Sequence, residues 1–217
     1  QVCINLYLKC KICLRVSDFK EHRECTAWHL EMLRHLWAVA QRYGSFYQQR
    51  PYTTSFVTCL FKGAIADVII QQRIEGYNVL VFSNERNTLF AFWSGLHGIL
   101  QHQIFNVTFD RVFGKSVALP NALSKSLALT LVVTPLVSMP LYYAFKPTIL
   151  HSKIDPKSGL EEYSRSFHTL FAKSFLVWMP IHLVTFTIVR HEFRVAWAGL
   201  VSLGLLSSIA PAKRSLT

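Results

Sequence analysis

The stretch from Ser126 to Phe145 carries no charged residue and is bounded by Lys125 and Lys146. A helix of about 20 apolar residues crosses the hydrocarbon core of a bilayer, so this stretch predicts a membrane span. Pro135 and Pro140 interrupt it. Each proline removes a backbone donor and kinks a helix, which a membrane tolerates where neighbouring helices cover the break. The span therefore belongs inside a bundle.

Asn87 to Phe109 is a second charge-free run, between Arg86 and Asp110, but it holds His97, Gln101, His102 and Gln103. Ser94 and Gly98 form a small-xxx-small pair of the kind that lets another helix approach closely. This run reads as a span buried against partner helices. Ser174 to Val189 and Val195 to Ala212 flank a charged knot, Arg190 to Arg194. They predict two passes with a tight turn, or one pass followed by a partly inserted helix. Thr53 to Gln72 is less apolar because it contains Lys62 and Asp67. At 3.6 residues per turn, Gly63, Ala64, Asp67 and Gln71 share one face. A small, polar face of this kind turns to the bundle interior or to water.

Composition agrees with a lipid-embedded chain. Hydrophobic residues make up 51% of the 217, and charged residues 16%, against about 25% charged in soluble domains. Aromatics reach 13%, as in proteins with rings at the membrane interface. The 23 Lys and Arg against 12 Asp and Glu give a net charge of +11. These basic residues fall between the apolar runs rather than in one stripe. The expected partners are anionic lipid headgroups and other membrane subunits, not nucleic acid, whose phosphates need a continuous basic surface.

Outside the spans the chain divides by composition. Residues 1–25 form a Cys-rich segment, 26–50 an amphipathic interfacial helix, 51–212 the transmembrane bundle and 213–217 a basic tail. In 26–50, Leu30, Leu33, Trp37 and Ala40 recur at helical spacing, and Pro51 ends the pattern. Residues 146–165 hold Pro147, Pro156 and Gly159, and predict a loop outside lipid. The fold expected is an all-α, multi-pass transmembrane helical bundle of four to five spans, preceded by the amphipathic helix.

Several short patterns follow one another in order. They are Pro51-Tyr52-Thr53-Thr54, Gly63-Ala64-Ile65-Ala66-Asp67-Val68-Ile69-Ile70-Gln71-Gln72, Gly95 with Gly98 and His102, Lys125 with Pro135, Trp178-Met179-Pro180, and Phe193-Arg194-Val195. From about Leu36 to Ser208 this order resembles the Mpv-seventeen / twenty-two-kilodalton peroxisomal membrane protein family. Where that family's third span carries an Asp-Gln pair, this chain has Leu129-Thr130. The resemblance implies an integral protein of the mitochondrial inner membrane, or alternatively of the peroxisomal membrane. It also implies a non-enzymatic protein, in a family described as forming small-solute pores.

Asp67 is the foremost candidate site. A lone carboxylate in lipid must be paired, protonated or hydrated. It either lines or gates a pore or makes a structural bond within the bundle, to Lys62 or to an arginine of another helix. Gln71, His102 and His182 join it as pore-lining or bundle-interior polar residues. The histidines are either proton-relay or metal groups or hydrogen-bonded core residues. Gly63, Gly95, Gly98 and Pro135 are expected at helix contacts. Cys10, Cys13, His22 and Cys25 offer four zinc-competent ligands, with a Cys10–Cys13 disulfide or free thiols as the other readings. A bound cardiolipin-type phospholipid is a further expected companion. No nucleophile elbow, metalloprotease helix or phosphate-cradling glycine loop occurs in the sequence. Two functions remain: a structural accessory subunit of a larger mitochondrial inner-membrane assembly, of respiratory or ATP synthase type, and a small-solute pore.

Overall fold

A computed structural model describes the backbone of residues 19–75, 82–151 and 154–209, and within these ranges the side chains from residue 30 onward except those of 74, 151, 208 and 209. Most of the described residues are helical, with no strand among them. The chain divides into two units, 1–46 and 47–217.

Helix α1 runs from Phe19 to Gln49, beginning earlier than the 26–50 pattern. Its end matches the pattern, because Pro51 opens the next helix at a position where its missing N–H costs nothing. Within the first unit, Leu33, Leu36, Trp37 and Val39 are each more than half exposed.

In the second unit, α2 spans Pro51–Ile69 and continues as a π-helical turn, Ile70–Ile74. Ser83 caps α3, Asn84–His102, by accepting a hydrogen bond from the Arg86 amide at 3.3 Å. A π segment, Gln103–Thr108, and a short α4, Phe109–Val112, extend α3. Then α5, Leu119–Ala128, leads through a π segment, Leu129–Ser138, into α6, Met139–His151. Helix α7, Pro156–Thr187, is capped by Asp155 and carries Pro180. After a 3-10 turn at His191–Phe193, α8 runs from Arg194 to Ile209.

The loop expected over 146–165 is corrected. Helix α6 continues to His151 and α7 begins at Pro156. Pro156 is at the first helical position rather than in a loop, and Gly159 serves a helix crossing. A Cβ on Gly159 would lie 1.9 Å from the carbonyl oxygen of Tyr143, so only glycine lets α7 approach α6 this closely. The proline and glycine read as breakers are a start signal and a contact.

Three helical stretches among the described residues are long and apolar enough to cross a membrane: Pro51–Arg73, Leu119–Leu150 and Pro156–Thr187. The run over Asn87–Phe109 is diluted by its amides and histidines. Helix α8 has 16 described residues, short for a 30 Å hydrocarbon core.

Helices α2 and α3 lie antiparallel, and small residues make the contact. A Cβ on Gly63 would fall 2.4 Å from Ser94 Cβ, and one on Gly98 would fall 2.5 Å from the Ser55 carbonyl oxygen. Gly95 makes room for the Phe56 ring. Between lipid-embedded helices there is little hydrophobic drive, and close van der Waals contact of this kind replaces it. The apolar core gathers Phe105, Phe109, Ala122, Leu129, Phe186 and Ala198. Pro135 is inside the long π segment, and its carbonyl accepts the Tyr163 hydroxyl at 2.7 Å.

Candidate functional site

Polar side chains within the second unit collect in three places. The first closes one end of the α2–α3 hairpin around Asp67, which is fully buried. One turn on, Gln71 donates from Nε2 to Asp67 Oδ2 at 2.6 Å. The other face of the same amide accepts from the Ser83 backbone N–H at 2.9 Å. Asn87 donates to Asp67 Oδ2 at 3.3 Å and to the Ala64 carbonyl at 2.9 Å. The charge partner is Arg86, whose Nε lies 3.1 Å from Asp67 Oδ1, while its NH1 reaches Glu75 Oε2 at 2.7 Å. Burial alone would lower the Arg86 pKa, but the Glu75 hydrogen bond and the two carboxylate charges hold it above the ordinary arginine value.

The second place is at the opposite end of the α2–α3 pair, about 22 Å away along α3 from Asn87 to His102 at 1.5 Å per residue. Tyr47 Oη and His102 Nδ1 share a 2.5 Å hydrogen bond. Asn106 donates to the Tyr47 hydroxyl. The π segment over Gln103–Thr108 carries this asparagine on its inner side, and Asn106 also donates to the His191 carbonyl at 3.3 Å. Asp110, with a side chain 6% exposed, meets Lys125 Nζ at 2.8 Å and Arg194 NH1 at 3.7 Å. His191 Nε2 approaches the second Asp110 oxygen at 3.4 Å. The Arg194 guanidinium also lies 5.3 Å from the centre of the Phe186 ring, a cation–π contact. Two cationic side chains from different helices, Lys125 and Arg194, and the His191 ring thus converge on one carboxylate.

The third place is a cavity of about 470 Å³ among α2, α3, the kinked α5–α6 stretch, α7 and α8. Lys62, His97, Gln101, Ser174 and His182 line it, between apolar walls that include Trp93 and Trp178. His182 stacks on Trp178, with ring centres 5.4 Å apart. Asp67 does not line this cavity.

The candidates read from sequence are therefore separated. Asp67 and Gln71 bond to each other, His102 is at the far end, and His182 lines the cavity wall. Of the two partners considered for Asp67, the structure places an arginine of another helix against it, not Lys62. Cys10, Cys13, His22 and Cys25 lie outside the residues whose side chains are described. Among the described residues no group of three or more His, Cys, Asp or Glu is arranged to hold a metal. Sequence reasoning treated Arg86, Asp110, Lys125 and Arg194 as span boundaries and missed their part in the interior. Their position at the ends of charge-free runs, with opposite signs, was the available signal.

Comparison with curated proteins and with solved structures returns no match. The family model of the Mpv17 / PMP22 family matches residues 151–206. That segment contains α7 and most of α8, and with them Tyr163, Ser174, His182 and Arg194. Over residues 151–206 the chain matches the Mpv17 / PMP22 family of membrane proteins, the family that its motifs resemble.

Proposed function

We propose that this chain is a non-enzymatic integral membrane protein that acts as a structural accessory subunit of a larger assembly in the mitochondrial inner membrane. The carrying observation is the use made of two buried carboxylates among the described residues. Asp67 is held by Arg86, and Asp110 by Lys125 and Arg194. Charges arranged this way knit helices together, and neither carboxylate is free to attract a passing cation. The small face of α2, where a pore-lining carboxylate was one of two readings, packs against α3 at Gly63 and Gly98. Mild solubilisation followed by native electrophoresis tests the reading. The protein should migrate well above its own mass, and Asp67→Asn should reduce its retention in the larger species. Migration as a lone chain, together with a reconstituted ion conductance whose selectivity changes in Asp67→Asn, would overturn it.

A second reading, the small-solute pore, is favoured by the cavity. It requires the Phe105–Phe186 contact, with ring centres 5.6 Å apart, to part. Solute efflux from proteoliposomes measures this directly. Efflux in Phe105→Ala well above that of the unmodified protein would support a conduit closed at this contact.

A further inference from the structure

The structural reading makes no use of the cavity, and its lining is chemically one-sided. At about 470 Å³ it is in the range of small-molecule sites, which run from about 300 to 1,000 Å³. Lys62 is the single charged residue in its wall, and no carboxylate lines it. The nearest acid along α2, Asp67, is occupied by Arg86 and Gln71. Among the described residues Lys62 has no hydrogen bond and no acidic partner. The aliphatic part of Lys62 runs beside Gly199 of α8, where an added Cβ would meet Lys62 Cδ at 3.3 Å. The stem is thus packed against α8, and the residue lines the cavity. A cation inside a bundle is costly until an anion or dense hydrogen bonding compensates it.

Two further wall residues have polar atoms left over. His182 is 6% exposed and Ser174 9% exposed. Neither His182 Nδ1 nor Ser174 Oγ has a hydrogen-bond partner among the described residues. Buried polar atoms of this kind are normally satisfied, so they mark a place for a polar ligand atom. The rest of the wall is apolar, with Trp93, Trp178 and Leu206 among its members.

We infer that this cavity is a binding site for a long-chain monocarboxylate, a fatty-acid-like molecule whose single negative charge is held by Lys62 and whose apolar body lies along Trp93, Trp178 and Leu206. One wall cation matches one charge. A small hydrophilic anion would leave the apolar wall unused, and a two-chain phospholipid carries more bulk than a site of this size accepts. The inference goes beyond the structural role and does not rest on it.

The test uses the full chain purified in a non-ionic detergent and a fluorescent polyene fatty acid, cis-parinaric acid, with empty micelles as background. The acid should bind saturably at about one per chain, and its methyl ester, of nearly the same shape without the charge, at least tenfold more weakly. Lys62→Met should abolish the preference for acid over ester, and Lys62→Arg should keep it. Excess acetate should not displace the probe. Equal binding of acid and ester, or a preference that survives Lys62→Met, overturns the assignment. Displacement by acetate overturns the long-chain part and makes the cavity a small-anion site. The comparison of acid with ester on the unmodified protein decides the question even where Lys62→Met fails to fold.

Discussion

Arg86 Nε lies 3.1 Å from Asp67 Oδ1, and the two residues come from different helices, α3 and α2. The pair is asymmetric. Asp67 is wholly enclosed, whereas Arg86 is 14% exposed and has Glu75 as a second partner. Removing the arginine strands a buried charge, whereas neutralising the aspartate leaves the arginine one partner. Stranding one member of a buried pair costs about 3–5 kcal/mol. Arg86→Met is therefore expected to lower the thermal stability of the detergent-solubilised protein more than Asp67→Asn does. The double substitution should be less damaging than Arg86→Met alone. A double-mutant cycle measures the coupling, and a loss in the double variant equal to the sum of the two single losses would show that the pair is not coupled.

The Asp110 cluster should behave differently, because it has a reserve. Lys125→Met removes the 2.8 Å partner but leaves Arg194 at 3.7 Å and His191 at 3.4 Å from the same carboxylate. The expected loss is smaller than for Arg86→Met, about 1–3 kcal/mol. Arg194→Met in the Lys125→Met background should then cost more than it does alone. Thermal melts of the three variants check the order.

Glycine positions separate crowding from backbone freedom. Gly159→Ala places a methyl group 1.9 Å from the Tyr143 carbonyl oxygen, and Gly98→Ala places one 2.5 Å from the Ser55 carbonyl oxygen. Both force helix axes apart, an overpacking loss of about 1–3 kcal/mol or more. Gly114 has a φ of +79° and open space around it. Gly114→Ala is expected to cost only the left-handed penalty, about 1–2 kcal/mol. Melting temperatures should place Gly159→Ala lowest.

The start of α7 is expected to respond to pH. Asp155 caps it by accepting from the Ser158 amide at 3.1 Å. That bond, together with the Ser158 hydroxyl, holds the Asp155 carboxyl below its ordinary value. A carboxyl with a depressed folded pKa stabilises the helix start above its unfolded pKa, about 3.9. That contribution is lost as pH falls through the folded value. Amide exchange at Ser158 should quicken at acidic pH relative to that at Tyr163, after correction for intrinsic rates. Asp155→Ala should remove the pH dependence.

The parts legible in the sequence are those that depend on one helix at a time. Asp67 and Gln71 stand four residues apart, and the structure joins them at 2.6 Å. The small residues Ser94 and Gly98 marked the face that α2 fills. Periodicity tells which face of a helix is buried but not which helix covers it. Asn106 meets the His191 carbonyl across 85 positions of sequence, and no local pattern carries that information. The prolines and Gly159 of the 146–165 region misled for a related reason. Their chemistry is the same in a loop, at a helix start and at a close crossing, and only the neighbouring helix distinguishes them.

The π segment from Leu129 to Ser138 gives the length of its helix a meaning. Each i→i+5 turn holds one residue more than the α turn it replaces. Lys125 and Tyr143 lie on either side of the segment along a continuous helical stretch, the first facing Asp110 and the second facing Gly159. The angle between them is set by how many residues each turn of the segment holds. Deleting one residue there lets an i→i+5 turn close as an α turn, so the helix stays unbroken and the parts on either side keep nearly the same phase. The same deletion in the α-helical part between the segment and Tyr143 turns Tyr143 away from Lys125 by about 100°. The stretch around Leu131 and Val132, both exposed, is thus the slack of the bundle, where a residue can be lost without putting its two ends out of step.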